Sequence, residues 1–140
     1  MPLNIAGIDH IVLRTTQLNR MLRFYCDVLG CKVERELPPE TGLIHLRAGN
    51  ALIDIVPVDS KLGRVGGGPP AKTENNLDHF CLLLESISEQ QISEHLKQHK
   101  VAVDEFSERY GSEGFGQSIY IKDPEGNTVE LKSKKLSTQE

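Results

Sequence analysis

Ile8-Asp9-His10-Ile11-Val12-Leu13 opens one half of the chain, and Leu77-Asp78-His79-Phe80-Cys81-Leu82 opens the other with the same order: apolar, acid, histidine, apolar run. A second echo follows late in each half, where an apolar run is broken by one carboxylate: Leu52-Ile53-Asp54-Ile55-Val56, then Thr128-Val129-Glu130-Leu131. Each half therefore supplies one histidine and one acid. A short unit used twice cannot bury its sheet alone, so the units are expected to pair, within one chain or between chains.

Between these landmarks the chain alternates strand and helix signals. Residues 8–14 read as a strand rich in Ile, Val and Leu. Leu18, Met21, Leu22, Tyr25, Val28 and Leu29 share one helical face, started near Thr16 or Gln17 and stopped by Gly30. Strands are expected at 31–37, 42–48 and 51–58, the last two joined by a tight turn at Gly49-Asn50. The second half repeats the order: a strand at 77–84, a helix at 88–99 opened by the capping pair Ser88 and Gln91, then strands at 101–107, 116–122 and 127–133. Ile92 and Leu96 form the buried stripe of that helix. The fold class is α+β, with two tandem β-α-β-β-β modules. Module 1 covers about 7–59 and module 2 about 77–133, within a single domain of 1–140.

Residues 60–76 carry Gly63, Gly66, Gly67, Gly68, Pro69 and Pro70 and read as a linker, with a lid as the alternative. The segment from Arg109 to Gly116 reads as a flexible loop, and 134–140 as a frayed polar tail. His45 sits in a strand opposite no evident acid. His95 and His99 share a helix face but lack a third ligand, so they read as solvated. Glu34-Arg35-Glu36 reads as a solvated edge.

Bulk properties exclude several classes. A net charge of −4 argues against nucleic acid as the main partner, since duplex binding needs a basic face. No apolar run approaches the roughly 20 residues needed to span a bilayer, and the first residues lack the pattern of a signal peptide. The 3 cysteines show no Cys-x-x-Cys spacing and read as reduced, buried thiols, which places the chain in the cytoplasm.

The chemistry lies in the repeated pairs. Strand side chains alternate faces, so similar positions in paired units can point into one concavity. His10, Asp54, His79 and Glu130 brought together make a site for one divalent metal, Ni, Zn, Co, Mn or Fe, with open positions for substrate or water. A carboxylate inside an apolar run needs a cation, a donor cluster or a metal, because burying it unpaired costs several kcal/mol.

The stretches Ile8–Leu13, Phe24-Tyr25-Cys26-Asp27-Val28-Leu29-Gly30 and Ile121-Lys122-Asp123-Pro124-Glu125-Gly126-Asn127-Thr128-Val129-Glu130-Leu131 resemble the vicinal oxygen chelate superfamily. That superfamily includes glyoxalase I, fosfomycin-resistance enzymes, extradiol dioxygenases and bleomycin-resistance binding proteins. The resemblance implies a glyoxalase-like fold, with the modules forming a curved, partly open, barrel-like sheet around a metal cleft. It implies His10, His79 and Glu130 as metal ligands, and puts Asp54 where glyoxalase I enzymes have a glutamate as fourth ligand. It further implies a lyase or isomerase of the glyoxalase I type, in which Glu130 or Asp54 carries a proton between adjacent carbons. The substrate would be a small oxygenated metabolite or its thiol conjugate, and the protein a homodimer with a shared site. Arg14 and Arg20 are candidate counterparts of the glutathione-binding arginines. An Fe(II) extradiol-type dioxygenase, thiol transfer to an epoxide antibiotic and a metal-free binding protein are the alternatives.

Overall fold

The computed structural model describes residues 3–135. The chain divides into two compact units, Met1–Ala71 and Lys72–Glu140.

The first unit contains β1 (His10–Thr15), α1 (Leu18–Leu22) continued by a π-helical segment (Arg23–Val28), β2 (Lys32–Glu36), β3 (Ile44–Ala48), β4 (Ala51–Pro57) and α2 (Lys61–Arg64). Its four strands form one mixed sheet in the order β1-β4-β3-β2, with β1 parallel to β4 and the other pairs antiparallel. The second unit contains β5 (His79–Leu84), α3 (Glu89–Gln98), β6 (Ser107–Gly111), β7 (Gly114–Lys122) and β8 (Thr128–Ser133). Its sheet, β5-β8-β7-β6, repeats the first in order and strand direction. The expected α+β class is present, and neither sheet closes into a barrel.

One face of the first sheet is apolar. Leu13, Ile44, Leu46, Ile53 and Ile55 are buried there, with Met21, Phe24 and Tyr25 buried on the helical segment. The helix does not run as one regular α-helix from 17 to 29. The amide of Leu29 donates to Phe24 O at 3.1 Å, an i→i−5 bond, and that of Cys31 to Tyr25 O at 2.8 Å. Apolar spacing alone does not show this wide turn, which lets the adjacent aromatics Phe24 and Tyr25 both turn inward. Gly30 closes the segment at φ +85°, as the expected stop.

Two other expectations are corrected. Residues 101–106 form no strand; the edge strand begins at Ser107. The supposed loop 109–116 belongs to a β-hairpin, Gly111 pairing with Gly114. A buried lysine holds it: Lys132 Nζ on β8 donates to Arg109 O at 3.0 Å and Gly114 O at 2.7 Å. Alternation of Val101 and Val103 mimics a strand, whereas the real one is Ser-Glu-Arg-Tyr-Gly and polar. The start of the 60–76 segment is also ordered. Ser60 caps α2 by accepting from the Gly63 amide at 3.1 Å and donates to Pro57 O at 2.7 Å. Of the tail expected at 134–140, residues 136–140 lie outside the described residues. No helix among the described residues is long and apolar enough to cross a membrane.

Candidate functional site

In the second unit, parallel pairing of β5 with β8 sets His79 across from Thr128 and Cys81 across from Glu130. Alternation puts His79, Cys81 and Glu130 on one face of the sheet. The turn before β8 is fixed by Asp123, whose carboxylate accepts from the amides of Glu125 and Asn127, both at 2.9 Å. His79 Nδ1 lies 2.7 Å from Asp78 Oδ2, and its Nε2 lies 3.2 Å from Glu130 Oε1. The Glu130 side chain is 7% exposed and that of His79 32%. A neutral imidazole has one N–H. If Asp78 takes it, Nε2 presents a lone pair to a carboxylate oxygen, and two acceptors at that distance repel. A proton on either group, or a cation between them, would relieve that repulsion.

The ring of His79 is held from the side as well. Tyr120 packs against it edge-on with centroids 5.2 Å apart, and the Arg109 guanidinium lies 4.1 Å from the Tyr120 ring centroid. Arg109 Nη1 donates to Ser118 O and Oγ, which fixes it over that ring.

In the first unit, β1 pairs with β4 so that His10 faces Leu52 and Val12 faces Asp54, which puts His10 and Asp54 on one face. His10 Nδ1 lies 2.7 Å from Asp9 Oδ2, matching the Asp78–His79 pair. The hydrogen bond to Asp9 raises the His10 pKa, with the Asp54 charge adding to it against partial burial. Asp54, 2% exposed, bonds to a residue whose role sequence reasoning missed. His45 Nδ1 lies 2.9 Å from Asp54 Oδ1, and Arg35 Nη1 lies 3.1 Å from His45 Nε2. His45 does face an acid, contrary to expectation. The signal was available: counting outward from the Gly49-Asn50 turn, the β3–β4 hairpin register sets His45 opposite Asp54.

The second unit thus brings His79 onto Glu130, whereas the first brings Asp54 onto His45 and His10 onto Asp9. Among the described residues, no group of three or more His, Cys, Asp or Glu gathers as a metal site. The rings of His95, on α3, and His99, its C-cap, lie tilted against each other with centroids 4.6 Å apart. Arg14 donates to the carbonyls of Gly63, Gly67 and Gly68, so its guanidinium anchors the glycine-rich segment; Arg20 bonds Gln17. Cys81 is exposed rather than buried as expected, yet desolvation of its thiol, with the Glu130 charge adding to it, pushes that thiol up to about 11, which disfavours a thiolate nucleophile there.

The model of the Glyoxalase/Bleomycin resistance protein/Dioxygenase superfamily matches residues 7–131. The chain belongs to this superfamily. The repeated mixed sheets are its glyoxalase-like fold. Against the solved lactoylglutathione lyase of Agrobacterium tumefaciens the TM-score is 0.66 at 22% identity, covering 92% of this chain and 94% of that one. Among curated superfamily relatives, the virulence protein STM3117 of Salmonella typhimurium is 29% identical over 127 residues, 91% of this chain and 83% of that protein. The catechol-2,3-dioxygenase of Bacillus subtilis is 26% identical over 125 residues, and the match spans only 40% of that protein. Lyases and dioxygenases both occur in the superfamily, and membership leaves the reaction open.

Proposed function

We propose that this protein is a metal-dependent lyase or isomerase of the glyoxalase I type, acting on a small oxygenated metabolite or its thiol conjugate. The observation that carries this reading is the His79–Glu130 pair, an imidazole Nε2 lying 3.2 Å from a nearly buried carboxylate oxygen. The donor set suits a divalent ion: neutral ring nitrogen and anionic oxygen are ligands for Ni, Zn, Co, Mn or Fe. His79, Glu130 and His10 are the proposed ligands, and Asp54 is the further acid of the set. Held by these residues, such an ion would supply Lewis-acid stabilisation of negative charge developing on substrate oxygen.

The chain's own residues do the rest. Asp78 and Asp9 take the Nδ1 protons of His79 and His10, which fixes each ring and leaves Nε2 as the donor atom. Tyr120 and Arg109 hold the His79 ring in place. Glu130 and Asp54 are the carboxylates able to take a proton from one carbon and return it to its neighbour. The working form is proposed to be a homodimer, each centre taking His79 and Glu130 from one copy and His10 from the other.

Protein prepared without an affinity tag and reconstituted should bind about one divalent ion per chain. His79→Ala should lose that ion with its circular dichroism unchanged. Metal binding unaffected in this variant would refute the site, and no binding by the native chain would favour a metal-free binding protein. Formation of D-lactoylglutathione from methylglyoxal selects the lyase. A second reading, ring cleavage with Fe(II), would use His10, His79 and Glu130 as a set of two histidines and one carboxylate. Oxygen uptake with catechols selects it.

A further inference from the structure

We infer that Lys132 recognises an anion: on the sheet face that carries His79 and Glu130, its ammonium receives a carboxylate or phosphate group of the substrate. The substrate is then a small oxyanion, its charged end on Lys132 and its reacting end beside Glu130. The anion site stands on Lys132 alone, whereas calling its occupant the substrate rests on the metal reading above.

Position comes first. Glu130 and Lys132 are two residues apart on β8, so their side chains leave the same face roughly 7 Å apart. Register sets Cys81 beside Glu130 and Leu83 beside Lys132 on β5, with Ser118 beside Lys132 on β7. Leu83 is 43% exposed and Cys81 is exposed, so this end of the face opens to solvent on the β5 side. The Cys81 thiol feels both neighbours, Glu130 raising its pKa and Lys132 lowering it, which sets the two charges in one small neighbourhood.

Charge decides the rest. Lys132 is 5% exposed, and an ammonium has three N–H donors. Two of them go to the carbonyls of Arg109 and Gly114. Glycines make that approach possible: a Cβ on Gly111 would stand 3.0 Å from Lys132 Nζ, and one on Gly116 3.0 Å from its Cε. The third N–H has no protein acceptor among the described residues, and none of their carboxylates lies within ion-pair distance of Nζ. Burying an ammonium without a counter-charge is costly, and neutral carbonyls offset only part of that cost. Holding the hairpin needs no charge, because a neutral amide also donates to two carbonyls. The surroundings are positive as well. Among the strand residues of this face Glu130 is the one acid, against Arg109, Lys122 and Lys132. A cation bound at Glu130 would add to that excess, which an anionic substrate offsets.

The test is a proton–nitrogen-15 NMR titration of the metal-free full chain with sodium phosphate, acetate and acetamide, at constant ionic strength set by chloride. Phosphate or acetate should give saturable shifts at the amides of Gly111, Gly114, Gly116 and Lys132, and acetamide, alike in shape but uncharged, should give none. The tighter of the two anions identifies the charged end as phosphate or carboxylate. Lys132→Met should weaken binding by about tenfold or more, the worth of one charge-assisted hydrogen bond. That variant also loses the hairpin's staple, so the native comparison of acetate with acetamide is decisive. Equal effects of the two, no saturation, or shifts scattered over other lysines overturn the inference. The same titration with zinc added separates the two readings. Metal uptake without anion binding leaves the metal reading intact and sinks this one; anion binding without metal uptake keeps the anion site and removes its assignment to the substrate.

Discussion

Cys31, 7% exposed at the end of the π-helical segment, shows how burial at one residue sets a pH dependence. Burial, with the neighbouring Cys26 adding to it, pushes its thiol from 9.0 up to about 11. A raised acid pKa means the folded state favours the neutral thiol. Its contribution to stability is complete below pH 9.0, where both states hold the proton, and is lost as pH rises towards about 11. Thermal melts at pH 7.5 and pH 10 should show a smaller alkaline loss in Cys31→Ala than in the native chain; equal losses would count against buried-thiol control. Residues also show what could be read in advance. His79 and Glu130 were legible because each is polar within an apolar run. His45 was not recognised, because its partner lies on another strand and becomes visible only when register is counted.

At the level of elements, local chemistry that announces itself was read correctly. Ser88 and Gln91 form the full capping box of α3, with Ser88 Oγ accepting from the Gln91 amide and Gln91 Oε1 from the Ser88 amide, both at 3.1 Å. Ser88→Ala should cost about 1 kcal/mol in chemical denaturation. Gly63 in α2 makes a sharper case. A Cβ there would stand 1.8 Å from the Pro57 carbonyl oxygen, a backbone atom that cannot move aside cheaply. Gly63→Ala should therefore destabilise by more than Ser88→Ala, and the reverse order would show that α2 is not held against β4. The misread elements share a cause. Strand β6 is polar and gains its place from Lys132, contributed by a strand at the far end of the module. The π-helical turn answers the packing of two adjacent aromatics, which no helical period encodes.

For the whole molecule, the duplicated sheet order was legible because both halves repeat the same landmarks, and the superfamily match over 7–131 agrees. The proposed sharing of a centre between two copies was not, since the sequence of one chain carries no mark of it. A mixing experiment addresses it. His10→Ala and His79→Ala should each bind no metal when purified alone. If one centre draws His10 from one copy and His79 with Glu130 from the other, a mixed dimer contains one intact centre and one doubly broken centre. Unfolding, mixing and refolding equal amounts should then restore about a quarter of native metal binding, half the dimers being mixed and each carrying one of two centres. If every centre is built within a single chain, each variant breaks its own and mixing restores nothing. Sedimentation velocity on the same samples guards the comparison. A monomer in solution, or dimers that mix without recovering metal, would reject the shared centre and leave the His79–Glu130 pair to find its third ligand within its own chain.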